Sequence, residues 1–313
     1  MLTVTLAHPE LIDAVVRDGW GPASVRVVQW DLRSALPCGT DPAEVDVVVV
    51  PNYLVDATGL RALHGLPSLR VVQLPSAGFE HALAHLPAGV TLCNGRGVHD
   101  AGTAELAVGL VLASQRGIDD AVRAMPEGRW SPVLRRSLAD RRVMVLGHGS
   151  IGSAIGRRLA AFEVDVVRVA RTARTSPDGP VHAVDDLPGL LPTVDVVVVV
   201  VPLTPQTTHL VDARFLAALP DGALLVNVAR GKVVDTAALL VELGSGRLRA
   251  ALDVTDPEPL PPEHPLWRAP HLVLTPHVGG LTDATTPRLA ALVRRQVEAL
   301  VAGDEPLNVV ART

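Results

Sequence analysis

The chain has 313 residues and a formal net charge of −5, and its 48% hydrophobic residues are scattered in short runs. That length suggests about two domains, and the negative balance argues against nonspecific nucleic-acid binding. The longest apolar run, Val196–Val201, is far too short to span a bilayer, and two cysteines, Cys38 and Cys93, make neither a metal-type spacing nor a disulfide framework, which fits a reducing cytoplasm.

In chain order, the Met1–His8 start reads as a strand rather than a secretory leader. Val-rich strands are predicted at Thr3–Ala7, Val25–Trp30, Val45–Val50, Leu69–Leu74 and Val90–Leu92, with amphipathic stretches at Glu10–Val16, Ala57–His64 and Phe79–His85. Near-continuous apolar strands alternating with helices predict a parallel sheet covered on both faces. Asp100 is expected to cap a long helix, apolar almost all round, that closes at Arg116-Gly117 and is buried between layers or against a partner. The Arg135-Arg136 and Arg141-Arg142 pairs read as a solvated loop. A second series of strands follows at Val143–Leu146, Val164–Ala170, Val194–Val201, Leu224–Val228, Ala250–Val254 and Leu272–Leu274. A last amphipathic helix, Pro287–Val301, is read as returning to the first domain. The expected division is 1–98 with 281–313 as one discontinuous domain, and 99–280 as the other.

Gly147-His148-Gly149-Ser150-Ile151-Gly152 stands between the strand ending at Leu146 and a helical pattern. Strand, G-x-G-x-x-G, helix is the context of a dinucleotide turn, whose backbone N–H groups approach a pyrophosphate at a helix N-terminus. Three polar residues then fall at later strand ends: Arg230 after Val228-Ala229, Glu258 in Asp256-Pro257-Glu258-Pro259, and His277 in Thr275-Pro276-His277. In open α/β sheets ligands bind outside the carboxyl ends of the strands, so the three can converge. An arginine fork holds a carboxylate or carbonyl. Histidine passes protons near neutrality, and a carboxylate beside it orients it and favours its charged form. The set suits hydride transfer to a 2-oxo acid. Each residue also has a plainer reading: a surface ion pair for Arg230, a solvated loop carboxylate for Glu258, a turn residue for His277.

The motifs Gly147–Gly152, Val201–Thr207, Asn227–Asp235, Leu252–Pro259 and Thr275–Gly280 together resemble the D-isomer-specific 2-hydroxyacid dehydrogenases. The resemblance implies a flavodoxin-like substrate domain and a Rossmann dinucleotide-binding domain with a cleft between them. It implies Arg230 as the binder of the 2-oxo acid, His277 as acid/base and Glu258 as its partner. Ser76, Ala77 and Gly78 would offer backbone N–H groups to the substrate carboxylate. Around the cofactor it implies Gly147, Gly149, Ser150, Ile151, Gly152, Val201, Pro202, Thr207, Val228, Ala229, Asp253 and His277, and for the 100–116 helix a homodimer interface.

One position departs from the common pattern. The acidic residue expected about 20 residues beyond the glycines, for the ribose hydroxyls of NAD, is replaced by Ala170, followed by Arg171, Thr172 and Arg174. Without the carboxylate a 2′-phosphate is not repelled, and the arginines supply donors. NADP(H) is therefore the expected cofactor, with NAD(H) possible. A glyoxylate/hydroxypyruvate-type reductase is the leading expectation. The alternatives are a phosphite or formate dehydrogenase on the same framework, and a non-catalytic dinucleotide sensor like the C-terminal binding protein corepressors. No metal site, nucleic-acid partner or membrane partner is expected.

Overall fold

The computed structural model describes residues 1–51 and 57–313. By chain contacts these divide into two compact units, Met1–His99 with Leu281–Thr313, and Asp100–Gly280.

The first unit begins with β1 (Leu2–Leu6), α1 (Pro9–Val16), β2 (Val25–Gln29), β3 (Val45–Val49), α2 (Ala57–Arg61), β4 (Val71–Gln73) and β5 (Thr91–Cys93). The second contains α3 (Asp100–Arg116), α4 (Ile118–Ala124), β6 (Arg142–Leu146), α5 (Ser150–Leu159), β7 (Asp165–Ala170), β8 (Arg174–Ser176), β9 (Gly179–Ala183), α6 (Leu187–Leu190), β10 (Val196–Val199), α7 (Ala213–Ala217), β11 (Leu224–Asn227), α8 (Thr236–Gly244), β12 (Arg249–Leu252) and β13 (Leu272–Leu274). The chain then returns to the first unit with α9 (Thr285–Ala302) and β14 (Val309–Arg312).

The first sheet has the order β14-β5-β4-β3-β1-β2, parallel except for β14. The second runs β13-β12-β11-β10-β6-β7-β9-β8, parallel except for the β8–β9 hairpin at one edge. Both are the doubly wound sheets expected from the alternation of strands and helices.

Why the strands read as unbroken valine runs is visible in their packing. Val197, Val199 and Leu225 enter one apolar cluster, while Val196, Val198, Leu224 and Val226 enter the cluster on the opposite face. A strand buried on both faces keeps apolar residues at every position, because successive side chains point to opposite sides. The first unit repeats the arrangement, with Val47 and Val49 against α9 on one face and Val48 and Val50 on the other. Each fully buried leucine or isoleucine, such as Ile155 and Leu159 of α5, contributes roughly 2 kcal/mol through apolar burial.

The structure departs from the sequence reading in several places. Asp100 is the first residue of α3, not a residue ahead of it, and its carboxylate accepts from Ser150 Oγ at 3.1 Å. The α3 helix buries Gly102, Thr103, Ala104, Ala107, Val108, Leu110, Val111 and Gln115 and exposes only Glu105, Gly109 and Arg116, so its burial does extend most of the way round. Phe79–His85 forms only a short 3-10 turn at Leu83–His85. Strands β8, β9 and β14 are absent from the sequence reading; β8 and β14 lie at sheet edges and β9 is paired between β7 and β8, and none of the three carries a run of buried apolar residues. The arginine pairs are not simply solvated: Arg141 reaches Asp195 at 3.2 Å, Arg142 reaches Asp165 at 3.0 Å, and Arg136 donates to the Gly222 carbonyl at 2.9 Å.

Candidate active site

The glycine turn is built by close backbone approaches. Gly147 has φ +115°, and a Cβ there would lie 2.5 Å from the Val200 carbonyl oxygen. A Cβ on Gly152 would lie 1.9 Å from the Gly147 oxygen. At Gly149 a Cβ would meet nothing within 4 Å, so that face of the turn is open. Gly149 is also the N-cap of α5 and no side chain caps it. The first-turn N–H groups of Ser150, Ile151 and Gly152 lack intrahelical acceptors by helix geometry and sit at the positive end of the helix dipole. A packed inner side and an open, positively polarised outer side fit a dinucleotide pyrophosphate.

The second strand is tied to this turn. Gly147 N and His148 N both donate to the Val169 carbonyl, at 2.8 and 3.1 Å, which brings Ala170 and Arg171 beside it. Arg171 and Thr172 are exposed, and among the described residues Arg171 takes no hydrogen-bond or ion-pair partner. Arg174, on β8, donates from Nη2 to the His148 carbonyl at 2.6 Å. Asp178, in the hairpin turn, is hydrogen-bonded to Ser153 Oγ, lies 3.5 Å from Arg157 Nη1 and 4.0 Å from His148 Nε2. The Ser153 hydrogen bond first, and then the Arg157 charge, hold the Asp178 carboxyl below its ordinary range. His148 is 7% exposed. Burial, followed by the charges of Arg168 and Arg174, pushes its imidazole below the ordinary range, so it is neutral at pH 7. Asp178 is thus an acidic residue near the turn, brought by a hairpin the sequence reading did not include and already engaged by Ser153 and Arg157.

The three polar residues are carried by the loops after β11, β12 and β13. Asn227, the last residue of β11, accepts from Ala229 N through Oδ1 at 3.0 Å and donates from Nδ2 to the Arg230 carbonyl at 3.0 Å. Those bonds hold Val228, Ala229 and Arg230 in a fixed bend, and Arg230 Nη1 donates to the Ala229 carbonyl at 2.8 Å. Asp253, just past β12 and 2% exposed, organises the next loop. Its carboxylate accepts from Thr275 Oγ1 at 2.6 Å, Val278 N at 2.9 Å and Gly279 N at 3.0 Å, and its carbonyl accepts from His277 N at 2.8 Å. His277 is thereby held at φ +54°, a left-handed conformation unusual for a residue with a side chain.

In that position His277 Nδ1 is hydrogen-bonded to Glu258. Burial alone raises the Glu258 carboxyl, but the hydrogen bond and charge of His277, with a smaller contribution from Arg230, leave it lowered. The Arg230 charge thus favours the ionised Glu258 carboxyl. With Nδ1 facing a carboxylate, Nε2 is the other nitrogen of the ring.

Other expected residues turn out to hold the loops. Thr207 Oγ1 donates to the Pro202 carbonyl at 2.7 Å and bonds within the Thr204 turn. Val201 and Pro202 follow the Val200 carbonyl that packs against Gly147. Asp253 has its carboxylate taken up by the 275–279 turn. In the first unit, Ser76, Ala77 and Gly78 follow β4, where Ser76 Oγ donates to the Gly78 carbonyl at 2.8 Å and Asn94 Nδ2 donates to the Ala77 carbonyl at 2.7 Å. Trp267, half exposed, donates to the Pro261 carbonyl at 2.8 Å and so braces the loop beyond Glu258. Asn227, Asn94 and Asp178 were not singled out from sequence. For the two asparagines the available signal was a side-chain amide at the last residue of a strand or just beyond it, ahead of a sharp bend.

Comparison with known proteins identifies the family of the chain. Residues 108–279 match the family model described as D-isomer specific 2-hydroxyacid dehydrogenase, NAD binding domain. This chain belongs to that family. A glyoxylate reductase of Thermofilum pendens is 34% identical over 266 residues, covering 81% of this chain and 78% of the relative. The glyoxylate reductase/hydroxypyruvate reductase of Mus musculus is 34% identical over 265 residues, covering 82% and 79%. Among solved structures, a D-isomer specific 2-hydroxyacid dehydrogenase from Xanthobacter autotrophicus, in complex with NADPH and MES, superposes with a TM-score of 0.82 at 32% identity, covering 99% of this chain and 98% of the other. An NADPH-dependent glyoxylate/hydroxypyruvate reductase from Sinorhizobium meliloti, with NADP and sulfate, gives 0.84 at 25% identity over 99% and 98%. In this member of the D-isomer specific 2-hydroxyacid dehydrogenases, the matched segment contains the glycine turn and the loops of Arg230, Glu258 and His277.

Proposed function

We propose that this protein is an NADP(H)-dependent reductase of small 2-oxo acids, of the glyoxylate/hydroxypyruvate type. The observation that carries the reading is the Glu258–His277 hydrogen bond, with the Arg230 charge favouring the ionised Glu258 carboxyl, on consecutive loops at the carboxyl edge of a dinucleotide-type sheet. The names of the archaeal and mouse relatives, and the NADPH and NADP complexes of the two solved structures, support substrate class and cofactor.

When bound, NADPH supplies the hydride that reduces the keto carbon. Arg230 holds the 2-oxo acid by its planar fork, which limits it to one orientation. His277 delivers a proton from Nε2 to the carbonyl oxygen as it gains negative charge. Glu258 fixes the imidazole and stabilises its protonated form before transfer. The product is the 2-hydroxy acid, with one hydride and one proton added. Ser76, Ala77 and Gly78 are proposed to offer backbone N–H groups to the substrate carboxylate. On the cofactor side, Arg171 and Thr172 are proposed to take the 2′-phosphate, with Arg174 holding the turn beside it.

The same reading makes the chain a cytoplasmic homodimer through α3 and its surroundings. Among the described residues no helix is long and apolar enough to cross a membrane. Exposed apolar side chains gather along α4 and the segment after it, at Ile118, Val122, Met125, Trp130, Val133 and Leu134, a distribution that favours a protein contact. Sedimentation at several concentrations tests the dimer; a monomer throughout rejects it.

Steady-state assays with glyoxylate, hydroxypyruvate and phenylpyruvate, each with NADPH and NADH, test the function. The expected result is turnover of the two smaller acids with kcat/KM higher for NADPH. Tight NADPH binding without turnover of any 2-oxo acid overturns the enzyme in favour of a dinucleotide sensor. An equal or better value with NADH overturns the cofactor preference.

A further inference from the structure

The amino edge of the second sheet carries a cavity of about 300 Å³ in which Gln115, Arg135, Arg136, Gly222, Arg249 and His271 take part. It lies at the start of β11 and β12, the opposite ends of those strands from Arg230 and Asp253. Its volume is at the lower limit of small-molecule sites.

Two guanidinium groups converge there on one neutral acceptor. Arg136 Nη1 donates to the Gly222 carbonyl at 2.9 Å; Arg249 donates to the same oxygen from Nε at 3.2 Å and Nη2 at 3.1 Å, and to the Ser114 carbonyl from Nη1 at 3.3 Å. Gly222 has φ +74°, and a Cβ there would lie 2.1 Å from Arg136 Nη2, so a side chain would displace that guanidinium. Among the described residues neither Arg136 nor Arg249 has a carboxylate within 4.0 Å. The acidic residues of the cavity are already paired: Asp119 with Arg123, and Asp120 with Arg123 at 2.9 Å and Arg135 at 2.8 Å. Burial, then the charges of Arg136 and Arg141, pushes the Arg249 guanidinium down to about 10, against a smaller opposing effect of the Asp119 charge.

A second observation also points to an absent acceptor. Gln115 is 2% exposed. Its Oε1 accepts from Arg249 Nη2 at 2.6 Å, which fixes the amide orientation because the flipped form would set donor against donor. Its Nε2 is then left buried without a hydrogen-bond partner among the described residues, an arrangement that is destabilising until an acceptor arrives.

We propose that this cavity is a second binding site, separate from the active site, for a small polycarboxylate whose oxygens accept from Arg136, Arg249 and Gln115 Nε2. Guanidinium forks and an amide N–H match carboxylate geometry, and a cavity of this size has room for a whole small molecule. The exposed apolar segment at Val133 and Leu134 borders the cavity, so a carboxylate side chain of a second copy is the other possible source of the same group.

The test is arginine modification of the full-length protein by phenylglyoxal, mapped by mass spectrometry, with citrate as probe at low ionic strength. Citrate is expected to slow modification of Arg136 and Arg249 saturably, reaching about fivefold, while exposed Arg268 reacts at an unchanged rate. In Arg136→Gln, citrate should no longer protect Arg249. Absence of protection, equal protection at Arg268, or undiminished protection of Arg249 in the variant overturns the proposal. Protection that grows with protein concentration without citrate assigns the carboxylate to a second copy and overturns the free ligand. The His277→Ala protein should give the same pattern, so failure of the catalytic reading leaves a separate result.

Discussion

The two edges of the eight-stranded sheet treat buried polar groups in opposite ways. At the carboxyl edge Asn227 and Asp253, 1% and 2% exposed, are saturated by the backbone of the loops they carry. Their hydrogen bonds fix two bends, and the bends present Arg230 and His277. At the amino edge Arg136 and Arg249 share one carbonyl, and the Gln115 amide nitrogen has no acceptor. A satisfied network positions other residues for chemistry, whereas an unsatisfied one is itself arranged to receive a ligand. The sheet thus separates a proposed reaction site from a proposed binding site by the length of its strands.

That contrast can be broken experimentally. The largest expected effect is His277→Ala, which should lower kcat about 10³-fold, the scale of a lost general acid, while NADPH titration by fluorescence is unchanged. Turnover surviving within tenfold would remove His277 from the mechanism. Next comes Asp253→Ala, which leaves two backbone N–H groups and the Thr275 hydroxyl without their acceptor. The loss should be about 3 kcal/mol, read from urea unfolding, together with a fall in turnover as His277 loses its placement. Normal activity in that variant would show that the 275–279 turn holds itself.

Arg171→Asp should shift the NADPH/NADH ratio of kcat/KM about tenfold toward NADH, since a carboxylate at the end of β7 repels a 2′-phosphate and accepts from ribose hydroxyls. An unmoved ratio leaves Arg171 as a surface residue. The pH dependence of Glu258 is smaller. Its folded-state carboxyl is held below its ordinary value of 4.5, so its contribution to stability is present above that value and lost as pH falls through the lowered one. The difference in stability between the wild type and Glu258→Gln should therefore be constant near neutrality and shrink only below pH 4.5. Shrinkage that begins well above it contradicts the pairing. Smallest of all, Arg136→Gln should leave kcat/KM within about twofold, as expected of a surface substitution away from the catalytic end.

Much of the fold could be read from pattern. Valine runs between amphipathic stretches specify parallel strands buried on both faces, and the late glycine motif separates two such series. The strands missed are two edge strands, β8 and β14, and β9 beside β8, which together bury only Val181 and so show little periodicity. At the site, residue types and order pointed to Arg230, Glu258 and His277, but spacing could not show that Glu258 and His277 touch. The roles of Asn227 and Asp253 depend on hydrogen bonds to backbone atoms up to 26 residues away, for which a linear pattern carries no signal.

By itself, the sequence determined the class of fold, the position of the dinucleotide turn, and the absence of an acidic residue at Ala170. Those are local facts, set by side-chain periodicity, glycine placement and one residue's identity. Only the tertiary structure decided that Asp178 reaches the glycine turn from a hairpin, that Asp253 builds the His277 loop, and that Arg136, Gln115 and Arg249 meet at one cavity. These depend on which strand ends become neighbours, and sheet order is fixed by burial of whole faces rather than by any residue within the motifs.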